Sequence, residues 1–273
     1  MSELNFEALQ RQFAQIGAEL RVVTHTEVPT WGNRAAFRAN VETRGKTERF
    51  VFDVTPSALA SVQVVDLDGP GRHVLLNVQT QSTRPGTKAD SQKLLLGHDE
   101  YHLFVAPVSR SSININAAKQ SLKPAVVQEA QKRLGVKTKR LHKRKQAAFV
   151  RQGEWFFLPA PDLVVDPQLV LKKEPIQRGA GKPHYCEELY RVGGEGVMVC
   201  PVHPNGVTRK QYENILKLHP EAARWRWRPA TRDATVYARG KVSHSDHSTV
   251  HLQGWHRVVP NTETGSRLNA FLD

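Results

Sequence analysis

Phe6, Leu9, Phe13, Ile16 and Leu20 recur at three- and four-residue spacing, so residues 5–20 read as a helix with one apolar face. After Leu20 the period shortens to that of strands. Residues 20–25, 36–43 and 49–54 alternate, the last two about a turn at Arg44-Gly45-Lys46, and 62–67 and 73–78 continue across Asp68-Gly69-Pro70-Gly71. The polar stretch 80–90, with Arg84-Pro85-Gly86 inside it, predicts a mobile loop before a strand over 101–108. A helix followed by a β-meander is the expected first domain, residues 1–113.

From Asn114 the pattern turns helical, with Pro124 suited to a first turn, Val126, Val127, Ala130 and Leu134 on one side, and Gly135 as the stop. A run free of acids follows, Lys137 to Lys145. This helical and basic connector, 114–147, leads into a β-rich domain, 148–273. Phe149-Val150 and Trp155-Phe156-Phe157-Leu158 predict strands, and prolines 159, 161, 167 and 175 predict loop up to Pro183. Gly193-Gly194 between two apolar runs predicts a hairpin over 187–199. Thr208 with Gln211 forms a capping box for a helix ending before Pro220. Arg224-Trp225-Arg226-Trp227-Arg228 alternates like a strand, and 236–242 with 249–252 reads as a hairpin. The fold class is α+β: an N-terminal helix on an antiparallel sheet, the connector, and a second β-rich domain carrying a small zinc hairpin.

Composition narrows the partners. With 39 Lys+Arg against 26 Asp+Glu the 273-residue chain carries +13 and has a pI near 10.0. That surplus points to a polyanion, nucleic acid first. No apolar run approaches the ~18–20 residues of a membrane span and no leader opens the chain, so a cytoplasmic protein without a membrane partner is expected. Two cysteines exclude a disulfide scaffold and suit thiolate ligation in a reducing compartment.

Both cysteines have a histidine close by, His184-Tyr185-Cys186 and Cys200-Pro201-Val202-His203. Two chelating pairs joined by a hairpin are a tetrahedral zinc set, so His184, Cys186, Cys200 and His203 are expected to hold one structural zinc ion. Phosphate contacts are expected from Lys137, Lys139, Arg140, Lys143, Arg144 and Lys145, and from Arg224, Arg226, Arg228, Arg239 and Lys241. Trp225 and Trp227 would lie on the opposite face of that strand.

Two further concentrations carry acid/base or metal chemistry. His98, Glu100 and His102 would share one strand face, without Asp99, although a polar turn explains the same letters. His244, Asp246, His247 and His251 could act as catalytic groups or ligands of a second divalent ion, and a polar hairpin turn is again the alternative. With Gly240 before it, this stretch loosely resembles the metal-binding strand pair of cupin barrels. It departs from them in its His244-x-x-His247 spacing and in lacking a glutamate soon after.

The sequence therefore reads first as a nucleic-acid-binding protein, for RNA or DNA, with a structural zinc. The alternatives are a phosphodiester hydrolase, a nuclease using His244, Asp246, His247 and His251, and a cupin-like small-molecule metalloenzyme.

Overall fold

The computed structural model describes residues 5–26, 36–45, 47–81, 91–178 and 181–262. It is a mixed α+β structure, mostly strands, and forms two compact units that part between Pro124 and Ala125. Residues 82–90 of the predicted loop and the turn residue Lys46 lie outside the described residues, and Thr80, where that loop was expected to begin, is the last residue of a strand.

The first unit opens with α1 (Phe6–Gln15), shorter than its apolar periodicity. Asn5 caps it by accepting the Ala8 N–H, and the chain leaves the helix through Gly17 at φ +68°, so Leu20 already starts a strand. Strands β1 (Leu20–Thr24), β2 (Phe37–Arg44) and β3 (Thr47–Val54) form a sheet in the order β1-β3-β2, with β1 and β3 parallel. The meander expectation therefore fails for β1. It holds for β4 (Leu59–Asp68), β5 (His73–Thr80), β6 (Ser91–Asp99) and β7 (His102–Val108), which pair consecutively and antiparallel. The core joins Phe13 of α1 to Phe50 and Phe52 of β3, ring centroids 5.3 and 5.5 Å apart and edge to face. Each such fully buried ring contributes roughly 1.5–3 kcal/mol. Helix α2 (Ile115–Ser121), capped by Asn114, completes the unit.

The second unit begins with α3 (Ala125–Arg133), placed after Pro124 and ended near Gly135 at φ +56°. Ten strands follow: β8 (Lys145–Gln146), β9 (Phe149–Gln152), β10 (Trp155–Pro159), β11 (Leu171–Ile176), β12 (His184–Val192), β13 (Glu195–Cys200), β14 (His203–Thr208), β15 (Arg228–Arg232), β16 (Thr235–Ser243) and β17 (Val250–Pro260). Helix α4 (Arg209–Leu218) lies between β14 and β15, behind the capping box of Thr208 and Gln211. Seven strands form one sheet in the order β11-β12-β16-β17-β10-β9-β8, and β14-β13-β15 form another. β11 runs through sequence that reads as loop. It is an edge strand, where Pro175 costs no ladder bond on the open side.

Three expectations are corrected here. β12 and β13 belong to different sheets, so Gly193 (φ +70°) and Gly194 (φ +92°) link two sheets and turn no hairpin. Residues 224–227 are not strand: Arg224 ends a 3-10 turn, Arg226 has φ +55°, and β15 starts only at Arg228. Glu100, at φ +58°, sits in the β6–β7 turn, which breaks the alternation that put His98, Glu100 and His102 on one face.

The seven-stranded sheet curls. A register shift at Ala238/Gly240 bends β16, and Gly254 (φ +78°) lies within β17. As a result Gln152 of β9 bonds the Val242 carbonyl of β16, three strands away in the sheet order. Trp155, Phe157, Leu189, Ala238, Val242 and Leu252 fill the inside of the curl.

Candidate metal centre and cationic segment

His184 opens β12, and His244 and His247 lie in the turn from β16 to β17, beside it through the Tyr185–Ser243 pair. Their rings stack, with centroids 4.0 Å apart for His184 and His244, 4.7 Å for His244 and His247 and 5.6 Å for His184 and His247. One nitrogen from each lies within 4.8 Å of the other two, the one group of three or more such ligands among the described residues.

The curl brings the β9–β10 turn, Gln152-Gly153-Glu154, against this group. Gln152 is wholly buried, and its Nε2 donates to the carbonyls of Val242 (3.2 Å) and Ser248 (2.8 Å). That fixes the amide orientation, so Oε1 accepts from His184 Nδ1 at 2.9 Å and the lone pair of a neutral His184 sits on Nε2. Glu154 Oε2 lies 3.5 Å from that nitrogen. A lone pair facing a carboxylate repels unless a cation, a proton or a metal ion, stands between them. Between the two, Gly153 at φ +55° has no room for a side chain: a Cβ would lie 2.7 Å from His247 Nε2 and 3.2 Å from His184 Cε1.

The electrostatics act with opposite effect on the charge of His244 and Glu154, favouring a neutral ring in the one and a charged carboxylate in the other. Burial, then the neighbouring His184 and His247, holds His244 below its ordinary value. Burial works against ionising Glu154, but the hydrogen bond and charge of His184, with the charge of His247, outweigh it and keep the carboxyl below its usual range. The Asp246 N–H donates to His244 Nδ1 at 3.1 Å, so an ion bound through Nδ1 exchanges that N–H for the metal.

The other expected site residues fall elsewhere. The set His184, Cys186, Cys200 and His203 does not converge. Cys186 lies in the core of the curled sheet, where burial pushes its thiol up to about 12, so it is no thiolate near neutrality. Cys200 and His203 are paired residues of the other sheet, and His203 stacks on Trp227 with centroids 5.5 Å apart. Asp246 points to Lys182, both carboxylate oxygens 2.8 Å from Nζ, and stays outside the histidine group. His251 is exposed on β17 opposite Lys241. Of the sequence-expected residues, His184, His244 and His247 come together across what read as two separate sites. Gln152, Gly153 and Glu154 were missed, because in sequence they are an ordinary hairpin turn.

The basic run is folded. Gln146 Nε2 lies within 3.1–3.2 Å of the carbonyls of Arg140, Leu141 and Lys143, and Gln131 Nε2 donates to Leu141 at 2.8 Å. These two amides hold residues 138–143 as a fixed arc. Lys132, Arg133, Lys137, Lys139, Arg140, Lys143 and Lys145 are exposed along it, and no carboxylate among the described residues pairs with them. The second basic stretch is mixed. Arg224 and Arg226 are exposed beside half-buried Trp225 and Trp227, whose ring centroids are 6.1 Å apart. Arg239 instead pairs with Glu188 and lies 4.7 Å over the Trp255 ring.

No protein-family model, curated protein or solved structure matches the chain. Among the described residues no helix is long and apolar enough to cross a membrane.

Proposed function

We propose that this protein binds nucleic acid through the cationic segment 132–145, and that the same unit holds one metal ion at His184, His244 and His247. The observation that carries the binding reading is the folded arc itself: Gln131 and Gln146 hold the backbone that presents exposed Lys139, Arg140 and Lys143, with exposed Lys132, Arg133, Lys137 and Lys145 flanking it, and none of the seven pairs with a carboxylate among the described residues. A backbone already held in place has little further entropy to lose on meeting phosphates, and each contact gains by releasing counterions. Arg224 and Arg226, beside Trp225 and Trp227, add a second patch suited to phosphate and base. Zinc is the ion we propose, since three imidazoles are a usual zinc set and leave a fourth position open.

The test is Lys139→Glu, Arg140→Glu and Lys143→Glu together, with affinity for two unrelated oligonucleotides measured against salt. The log–log slope should flatten by roughly 2–3 units, equally for both sequences. An unchanged slope, or a wild-type protein that binds neither strand at low salt, overturns the reading.

The curled sheet with three histidines at one end favours a second reading, a small-molecule metalloenzyme holding iron or nickel, for which imidazole ligands are equally suited. Anomalous scattering from the bound ion separates the two: zinc supports the first, iron or nickel the second.

A further inference from the structure

The cationic arc and the histidine group share one strand. β8 runs antiparallel to β9, Lys145 opposite Val150, and the Arg151 N–H donates to the Arg144 carbonyl at 2.7 Å. The pairing therefore moves up β9 as the chain is followed back from Lys145 to Arg144. The next residue of β9 is Gln152, whose side chain holds His184. One strand spacing, about 5 Å, thus separates Arg144, next to the arc, from Arg151, the residue before Gln152. Three histidines give a metal ion three protein ligands and an open fourth position, the arrangement of catalytic zinc sites, whereas closed four-ligand sets are structural. Glu154 sits at the rim of the same group, its Oε2 3.5 Å from His184 Nε2 and its side chain 27 % exposed.

We propose that this is a hydrolytic site for phosphodiesters of a nucleic-acid strand held on the arc. His184, His244 and His247 hold a divalent ion, the ion binds water, and Glu154 takes the proton from that water. The hydroxide oxygen bonds to phosphorus, the phosphorus–oxygen bond to the departing nucleoside breaks, and the departing oxygen takes a proton from solvent. No oxidant or reductant is needed. The proposal deepens the binding reading and rests on it for its substrate class, since cations beside a metal-bound water are what a diester flanked by further phosphates requires.

The experiment uses the full chain, stripped with chelator and reloaded with zinc, manganese, cobalt or nickel. Binding and cleavage of labelled single- and double-stranded DNA and RNA are read in parallel with hydrolysis of bis(p-nitrophenyl) phosphate, a diester too small to need the arc. Reloaded protein should cleave both a bound strand and the small diester, with about one ion per chain. His244→Ala and His247→Ala should lose the ion and at least about 100-fold in both activities, and should keep strand binding. Glu154→Gln should keep the ion and lose about 100-fold in cleavage. Stripping and reloading the wild type gives the same loss and its recovery with no substitution that could disturb folding. A strand and an ion both bound with neither diester cleaved overturns the hydrolytic proposal and leaves the binding reading standing. Cleavage of the small diester without strand binding overturns the binding reading and the nucleic-acid substrate together. Equal cleavage in the histidine variants overturns the site, and loss of the ion in Glu154→Gln overturns the role given to that carboxylate.

Discussion

Both units carry histidines on or next to neighbouring strands, and they end differently. In the first unit His73, His98 and His102 lie on the neighbouring strands β5, β6 and β7, yet each is taken by its own neighbour: Lys119 Nζ at 3.4 Å from His73, Arg72 at 2.9 Å from His98, Glu48 at 2.7 Å from His102. In the second unit His184, 60 residues before His244, stacks on it, and the partners it finds are an amide that fixes its tautomer and a carboxylate that calls for a cation. Density along the chain therefore does not make a ligand group. What makes one is several lone pairs aimed at a common point by elements that cannot move independently, as the curl of a sheet can arrange.

The largest effect that could break this comparison comes from the glycine under the group. Gly153→Ala should cost roughly 1–2 kcal/mol for its left-handed backbone and, beyond that, drive His247 aside and abolish metal uptake. Gly135→Ala has nearly the same φ, +56°, and nothing within 4 Å of its Cβ, so it should pay the backbone cost alone and leave metal content unchanged. Thermal melts with metal analysis on both variants isolate the contact. Equal metal content in the two would show that the turn does not support the histidines.

Gln152→Leu should come next, since it leaves the Val242 carbonyl and His184 Nδ1 without the amide. A loss of about 1–3 kcal/mol in stability and 10–100-fold in metal affinity is expected by denaturation and competition titration. His98→Ala and His102→Ala should change metal affinity not at all, and a comparable drop there would erase the contrast between the units.

Acid should act on the first unit through His73. Burial, then the charge of Lys119, pushes this imidazole down to about 4, with Asp68 and Asp99 opposing. The folded chain thus keeps His73 neutral where the unfolded chain, near 6.5, takes up a proton. Stability is lost as pH falls from about 6.5 to about 4, and His73 contributes no further change below that. Melting temperatures across this window should fall less steeply in His73→Gln, and parallel curves would refute the assignment.

The smallest effect is expected from Cys186→Ala. Had the cysteines shared a zinc ion, it would unfold the region; in the core of the curled sheet it removes one buried sulfur, for about 1 kcal/mol, with metal content intact. Loss of the ion in this variant would restore the cysteine set.

Much of the fold was legible because it is written locally. The Phe6, Leu9, Phe13 stripe, the Thr208–Gln211 capping box and the Asp68–Gly71 turn each depend on residues a few positions apart, and the helix, the cap and the hairpin are there. Where the forecast failed, the deciding contact was distant. β1 chose β3 as a parallel partner, and β12 paired with β16 in place of β13. Cys186 and Cys200 share a motif in the sequence and no sheet in the structure. By itself the sequence determined the α+β character, the charge of +13 and the residue types from which a metal centre could be made. Only the tertiary structure decided which three histidines meet, and that a turn glycine, an amide and a carboxylate stand beside them. The reason is physical: side-chain type sets what a group can bind, whereas the curl of a seven-stranded sheet, which no local pattern encodes, sets what it can reach.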